Sequence, residues 1–304
     1  MFSVVIPLYN KEKSIENAIR SVLAQTFADF ELLVVNDGST DKSCEIVAAI
    51  PDSRIRIIDK PNGGVSSARN CGILAAKYEY VAFIDADDYW KPDFLETIKG
   101  LIADYPEAGC YATGYACKFN NSILNAFAVK KRGLVKDFFK QVYKAPIMHA
   151  SSVCVKKSIF ENIGYFNTCI TRAEDYDMWA RLARRIDIAS SPEIKTYYML
   201  DSENRAMALL PAPEVLWLYH IPPESVLDKD QKKYYTRFLH RQFLEYLING
   251  KFKWAWQIAY HNRAIASWYS YLLLPGNIQF RQLTSWGKLL VKRFDKDKKS
   301  DTSL

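Results

Sequence analysis

Residues 80–88 read YVAFIDADD, an apolar run that ends in three carboxylates. Three earlier runs rich in β-branched residues, at 3–8, 31–36 and 54–59, alternate with segments that have helical spacing. Strands that alternate with helices of this length predict βαβ units and a mostly parallel sheet. We therefore expect an α/β fold that begins with four such strands.

The carboxyl ends of the predicted strands are polar, and a parallel sheet of this kind binds its ligands at those ends. The carboxylates of 85–88 would repel one another in a partly dry site. A cation that prefers oxygen ligands, Mg²⁺ or Mn²⁺, would relieve that repulsion. The alternative is a solvated acidic turn that caps a helix predicted at 92–105.

Two glycine-containing turns also follow strands. In NDGS, residues 36–39, Asp37 can accept a hydrogen bond from a nucleobase, or the motif is an ordinary turn before a helix. In NGGVSSARN, residues 62–70, a helix N-terminus and Arg69 suit an anionic ligand, or the loop is a tight turn with a surface arginine. Neither glycine pattern is a dinucleotide fingerprint or a P-loop.

The acidic motif EDYD, residues 174–177, begins a helix predicted at 173–185. Acidic residues are favoured at a helix N-terminus by the helix dipole, which is one explanation of the motif. The other is a general base that removes the proton of an attacking hydroxyl group.

Charge is distributed unevenly over the 304 residues, whose net charge is +7. Residues 228–304 carry 15 Lys and Arg against 6 Asp and Glu, whereas residues 1–227 carry 26 against 28. Helical patterns at 229–249, 252–274 and 283–294 fill this basic part of the chain. The asymmetry indicates a body and a tail with a different role.

The basic tail is also rich in aromatic residues, including Trp254, Trp256, Trp268 and Trp286. Aromatic and cationic side chains together suit an anionic membrane surface. Helices that pack on the catalytic domain or on a second subunit need aromatic faces as well, so a homo-oligomer is the alternative.

The six cysteines form no C-x-x-C pair, which favours free thiols in a reducing compartment. The first residues, MFSVVIPLYN, have no features of a secretion signal, and no apolar run is long enough to span a bilayer. We expect a cytoplasmic protein, with peripheral attachment to the inner face of the cell membrane if the tail binds lipid.

Five motifs in this order resemble the inverting family 2 glycosyltransferases of the GT-A fold. They are VVIPLYN (4–10), VNDGSTD (35–41), NGG with ARN (62–70), DADD (85–88) and EDYD (174–177), and the resemblance covers residues 1–205. It implies a base and ribose pocket at Pro7, Tyr9 and Asp37, a nucleotide or diphosphate contact at Arg69, and a ribose contact at Asp85. It also implies Mn²⁺ or Mg²⁺ on Asp87 with Asp85, Asp175 as the catalytic base and Glu174 toward the acceptor.

The sequence departs from the family pattern at two places. Residues 164–167 read GYFN where the family often has G-x-F-D-E, and residues 202–205 read SENR where it often has a histidine. Contacts to the acceptor and to the diphosphate are the features that these departures affect.

The resemblance predicts transfer of a sugar from a nucleoside diphosphate sugar, a UDP-hexose, to a hydroxyl group. The acceptor would be a glycan or a lipid-linked molecule in bacterial surface polysaccharide or lipopolysaccharide synthesis. Residues 1–210 would form the GT-A domain and residues 211–304 a helical extension.

Two other functions are considered. A sugar nucleotidyltransferase normally needs a basic, glycine-rich loop after its first strand, which residues 7–11, PLYNK, do not supply. A non-catalytic module that binds membranes or nucleic acid would leave the acidic strand ends unexplained, so we expect no nucleic-acid partner.

Overall fold

The structure is a computed structural model, and it describes residues 1–120, 122–204 and 210–266. The chain forms two compact units, Met1–Phe238 and a second unit that begins at Leu239. The boundary predicted at 210/211 remains a prediction.

In the described residues, ten strands form one sheet, and its first four strands pair in parallel in the order β3-β2-β1-β4. Every residue of β1 and β2 is buried, so both faces of this part of the sheet are covered. Coverage on both faces explains why these strands are continuous apolar runs rather than alternating ones. The four strands are β1 (Phe2–Leu8), β2 (Phe30–Asn36), β3 (Ile55–Asp59) and β4 (Tyr80–Phe83).

The other half of the sheet is mixed. Strand β9 runs antiparallel between β4 and β6, and β10 runs parallel to β6. Strands β5, β7 and β8 pair in the antiparallel sense. The predicted α/β fold is confirmed, with the parallel part at its N-terminal end. The remaining strands are β5 (Tyr89–Trp90), β6 (Cys110–Phe119), β7 (Ser122–Phe127), β8 (Gly133–Leu134), β9 (Val153–Lys156) and β10 (Ile188–Met199).

Helices cover the sheet. The buried side of α1 is the predicted one, with Ile15, Ala18, Ile19 and Val22. Helix α3 lies close to β1 because Gly72 has no side chain; a Cβ atom there would lie 2.3 Å from Cγ1 of Val5. The helices are α1 (Ile15–Leu23), α2 (Ser43–Ala48), α3 (Gly64–Ala75), α4 (Phe94–Asp104), α5 (Phe138–Lys144), α6 (Lys157–Ile163), α7 (Glu174–Ala183), α8 (Lys229–Ile248) and α9 (Phe252–His261).

The strand directions bring several segments to one edge of the sheet. Strands β1 to β4, β6 and β10 all end there, because they share one direction. Strand β9 runs the opposite way, so the turn Ala150–Ser152 that precedes it lies at the same edge. This edge therefore collects the predicted motifs.

The two helices predicted at 229–249 and 252–274 correspond to α8 and α9, although α9 ends at His261. Within the second unit, Trp254 contacts Tyr246 and Trp256 contacts Phe243, with ring centroids 5.7 and 5.9 Å apart. Two of the aromatic residues considered for the membrane thus take part in helix packing. The helix predicted at 283–294, together with Trp268, Trp286 and the last lysines, lies outside the described residues. No helix in the described ranges has both the length and the apolar character needed to cross a membrane.

Candidate active site

Side-chain hydrogen bonds tie together the loops that follow β1, β2 and β3. The amide of Asn36 accepts from the backbone N–H of Ser39 at 2.9 Å and donates to Asp59 at 2.8 Å. The side chain of Asn10 accepts from the backbone of Thr40 at 2.8 Å. These bonds fix the loops at the ligand-binding edge.

The three residues predicted for the base pocket lie at this edge. Pro7 is buried within β1, and Tyr9, just beyond it, is 41% exposed. Asp37 is 2% exposed, and its carboxylate accepts from two backbone N–H groups of 63–64 at 3.0 and 2.8 Å and from the ammonium of Lys60. Asp37 therefore joins the end of β2 to the glycine loop.

Arg69 is buried rather than exposed, so a surface arginine at this position is excluded. Its side chain is 2% exposed and donates to Asp85 at 2.7 Å and to Glu174 at 2.5 Å. Burial opposes the ionisation of Asp85, yet the charge of Arg69 holds the pKa of that carboxyl group below its ordinary value. Arg69 thus brings together two acidic motifs that the sequence keeps far apart.

Asp175 lies in the first turn of α7, beside Glu174. Burial and then the charge of Glu174 raise the pKa of Asp175 to about 7, while Arg69 opposes that rise. The helix begins after Ala173, whose φ of 60° lies in the left-handed region that is unfavourable for alanine. A carboxylate with a pKa near neutrality is suited to accept a proton in a reaction at neutral pH.

Asp87 is contacted from two loops. Its Oδ2 atom accepts from the ammonium of Lys11 at 2.7 Å and from the hydroxyl of Ser202 at 2.6 Å. The same ammonium donates to the backbone carbonyl of Glu203. The loop after β1 and the segment after β10 therefore meet over Asp87.

Asp88 is the fully buried residue of the acidic motif 85–88. Its carboxylate accepts from the hydroxyl of Ser151 at 2.5 Å and from the backbone N–H of Met199 at 3.0 Å. Burial, followed by the charges of Asp87 and Asp85, raises the pKa of Asp88 well above its ordinary value. The two hydrogen bonds oppose that rise, and a nearby cation would oppose it further.

Two sets of residues could hold a metal ion. Among the described residues, Asp85, Asp88 and His149 offer ligand atoms that all lie within 4.8 Å of one another. The resemblance instead points to Asp85 and Asp87. Both sets supply carboxylate oxygens, the ligands that a divalent cation such as Mg²⁺ or Mn²⁺ prefers.

The two sets of residues differ in how far their carboxylates are exposed to solvent. The side chains of Asp85 and Asp87 are 24% and 13% exposed, whereas that of Asp88 is 0% exposed. The Nδ1 atom of His149 accepts from the backbone N–H of Ser151 at 3.2 Å, and burial lowers the pKa of this histidine. Asp85 and Asp87 are therefore the two carboxylates of the acidic motif that solvent can reach.

His149, Ser151 and Ser202 also contact the site, although no sequence pattern indicates a functional role for them. His149 lies between β6 and β9, and its ring contacts Tyr115 and Tyr198, which are distant in the sequence. Lys11 offered a usable signal, because a cation directly after the first strand lies at the ligand-binding edge.

Comparison with known proteins gives the family. The model of the family described as "Glycosyl transferase family 2" matches residues 3–164. The uncharacterized glycosyltransferase EpsJ of Bacillus subtilis is 50% identical over 91 residues, which cover 29% of this chain and 26% of that protein. The chondroitin synthase of Pasteurella multocida is 33% identical over 187 residues, covering 60% of this chain and 19% of that protein.

A solved structure shares the fold. The S. aureus TarS 1–349 structure in complex with UDP-GlcNAc has a TM-score of 0.71 and 20% identity, and the match covers 87% of this chain and 81% of that one. The GT-A fold predicted from the motifs is thereby confirmed. The chain spans about a quarter of EpsJ and about a fifth of the chondroitin synthase.

Proposed function

Because the chain belongs to glycosyl transferase family 2, we propose that it is an inverting glycosyltransferase that uses a nucleoside diphosphate sugar. One observation carries the proposal: Arg69 links Asp85, at the strand ends, to Glu174, beside a carboxyl group whose pKa is raised to about 7. A donor site and a proton acceptor thus belong to one connected network.

On the donor side, Pro7, Tyr9 and Asp37 form the wall that receives the base and ribose, with Tyr9 as the exposed member. Asp85 lies next to the ribose. Arg69 supplies a fixed positive charge on the side of the nucleotide or diphosphate, where Asp85 and Glu174 hold its side chain. A divalent cation, Mn²⁺ or Mg²⁺, held by Asp87 and Asp85 would neutralise the charge that develops on the leaving diphosphate.

On the acceptor side, Asp175 removes the proton of the attacking hydroxyl group, and Glu174 lies toward the acceptor. The hydroxyl oxygen attacks the anomeric carbon from the face opposite the diphosphate, so an α-linked donor gives a β-linked product. Positioning of the two substrates and stabilisation of the leaving group supply most of the rate.

The donor we propose is a UDP-hexose, and the acceptor is a glycan or a lipid-linked molecule of bacterial surface polysaccharide or lipopolysaccharide synthesis. Support comes from relatives: TarS was solved with UDP-GlcNAc, and the chondroitin synthase is by its name a polysaccharide synthase.

We extend the proposal to the separate roles of the N-terminal and C-terminal parts of the chain. Residues 1–210 carry out the transfer, and residues 211–304 attach the cytoplasmic protein to the inner face of the membrane, where it would meet a lipid-linked acceptor. Flotation with anionic and neutral liposomes tests this extension. The full-length chain should float with anionic vesicles, and a truncation after Phe238, the last residue of the first compact unit, should not. Equal behaviour of the two would assign the tail to packing or oligomerisation.

A donor screen by thermal shift tests the proposed function. With Mn²⁺ present, a UDP-sugar should raise the melting temperature more than the free sugar does. It should also raise it more than the corresponding ADP-sugar does. The Asp37→Ala variant serves as the binding control. A panel in which no nucleotide sugar changes the melting temperature would contradict the proposal.

A further inference from the structure

Lys11 occupies a position that the proposed reaction assigns to a metal ion. Its ammonium lies 2.7 Å from Oδ2 of Asp87, the carboxylate proposed as a metal ligand. The two side chains are only 12% and 13% exposed, so water screens this pair less than it screens a surface pair.

Further contacts hold the ammonium there. It donates to the backbone carbonyl of Glu203, while the carboxylate of Glu203 accepts from the backbone N–H of Lys13 and the hydroxyl of Ser14, both at 3.0 Å. The segment after β10 is thereby anchored to the loop that carries Lys11. Lys11 is thus built into the edge of the sheet rather than placed there by a flexible surface contact.

We propose that the ammonium of Lys11 is the resident counter-ion of Asp87 and that a divalent cation must displace it to bind. An ammonium and a metal ion that contact the same oxygen repel each other, so each weakens the binding of the other. Lys11 therefore weakens metal binding in the donor-free protein. It also balances the negative charge of Asp87 until the metal ion binds together with the diphosphate. This inference rests on the proposed function in that it adopts Asp87 as the metal ligand.

Titration of Mn²⁺ into donor-free protein, followed by the electron paramagnetic resonance of free Mn²⁺, measures the competition without turnover. Lys11→Met removes the charge and keeps most of the side-chain length. We expect this variant to bind Mn²⁺ at least about fivefold more tightly than wild type. Lys11→Arg keeps the charge and should stay within about twofold of wild type.

Lys13→Met is the matched control, because it removes the same charge two residues away from an exposed side chain. It should change the Mn²⁺ affinity by less than about twofold. In an Asp87→Asn background, Lys11→Met should have no effect, since the shared oxygen ligand has lost its charge. If Lys11→Met lowers stability, the rise in melting temperature on adding Mn²⁺ gives the same comparison and should be larger than in wild type.

Equal or weaker Mn²⁺ binding by Lys11→Met, including the absence of binding in both proteins, would overturn the counter-ion assignment. The same holds if Lys13→Met tightens binding as much as Lys11→Met does. The donor screen decides separately on the proposed function. Tighter Mn²⁺ binding by Lys11→Met with no response to any nucleotide sugar would leave the counter-ion assignment standing and remove the transferase proposal.

Discussion

The guanidinium group of Arg69 donates a hydrogen bond of 2.5 Å to the carboxylate of Glu174, although 105 residues separate them in the chain. The same group holds Asp85 at 2.7 Å. Because the guanidinium is rigid and planar, the two carboxylates it pairs with are held in a fixed relation. The strand end that we assign to the donor and the helix that we assign to the acceptor are therefore connected by one buried side chain.

Replacing Arg69 by methionine should lower the free energy of unfolding by about 3–5 kcal/mol, because it leaves two carboxylates at a largely buried site without their cation. Urea denaturation at pH 7 measures the change. The control is Arg20→Met, which breaks an exposed pair with Glu16 and should cost less than about 0.5 kcal/mol. Similar losses in the two variants would show that the buried network does not stabilise the fold.

Asp175→Asn should lower the transfer rate by about 10²–10⁴, since the amide keeps the shape of the carboxylate but cannot accept the proton. Affinity for the nucleotide, measured by calorimetry, should remain close to that of wild type. The comparison variant is Glu174→Gln. An active Asp175→Asn together with an inactive Glu174→Gln would mean that the neighbouring carboxylate is the base.

The pH dependence follows from the pKa of Asp175, which is raised from 3.8 to about 7. Only the deprotonated carboxylate acts as a base, so kcat/KM should fall about tenfold per pH unit below that pKa and level off above it. The variant Asp175→Asn should lack this dependence. A wild-type rate that stays constant from pH 5 to pH 8 would contradict the assignment.

The same shift predicts how stability changes with pH. The folded chain binds a proton at Asp175 that the unfolded chain has released between about pH 4 and pH 7, so this group makes folding less favourable as pH rises through that window. Asp175→Asn removes the effect. Its melting temperature should therefore rise relative to that of wild type between pH 4 and pH 7, and a difference that does not change with pH would argue against a raised pKa.

The metal assignment distinguishes Asp87 from Asp88. A chelator should abolish donor hydrolysis, and added Mn²⁺ or Mg²⁺ should restore it. Asp87→Ala should remove most Mn²⁺ binding, whereas Asp88→Asn should keep it, because the covered Asp88 contacts Ser151 and Met199. Loss of Mn²⁺ binding in Asp88→Asn alone would move the site to the group formed with Asp85 and His149.

The strands and helices that are marked by a pattern of neighbouring residues could be predicted from the sequence. Strands β1 to β4 are short apolar runs that end in polar residues, and the face of α1 repeats with the helical period, so each can be recognised from neighbouring residues. The antiparallel entry of β9 could not be predicted, because it depends on which strands it joins across the sheet.

In the site, too, features with a local sequence pattern were predicted, and those that depend on distant residues were not. Polar motifs at strand ends predicted that Asp37, Asp85 and Asp87 would share one edge, because parallel strands end together. The burial of Arg69 was not predicted, because it depends on pairing with Glu174, which lies 105 positions further along the chain. The contact between Lys11 and Asp87 likewise joins two loops that no local pattern relates.

The most direct test of the central claim is the product formed from a panel of nucleotide sugars in the presence of Mn²⁺. We expect one donor, a UDP-sugar, to give nucleoside diphosphate and free or transferred sugar, with a new linkage of the opposite anomeric configuration when an acceptor is supplied. Asp87→Ala should release little nucleotide. Release of sugar phosphate and nucleoside monophosphate, a linkage of retained configuration, or no release from any donor would contradict an inverting glycosyltransferase.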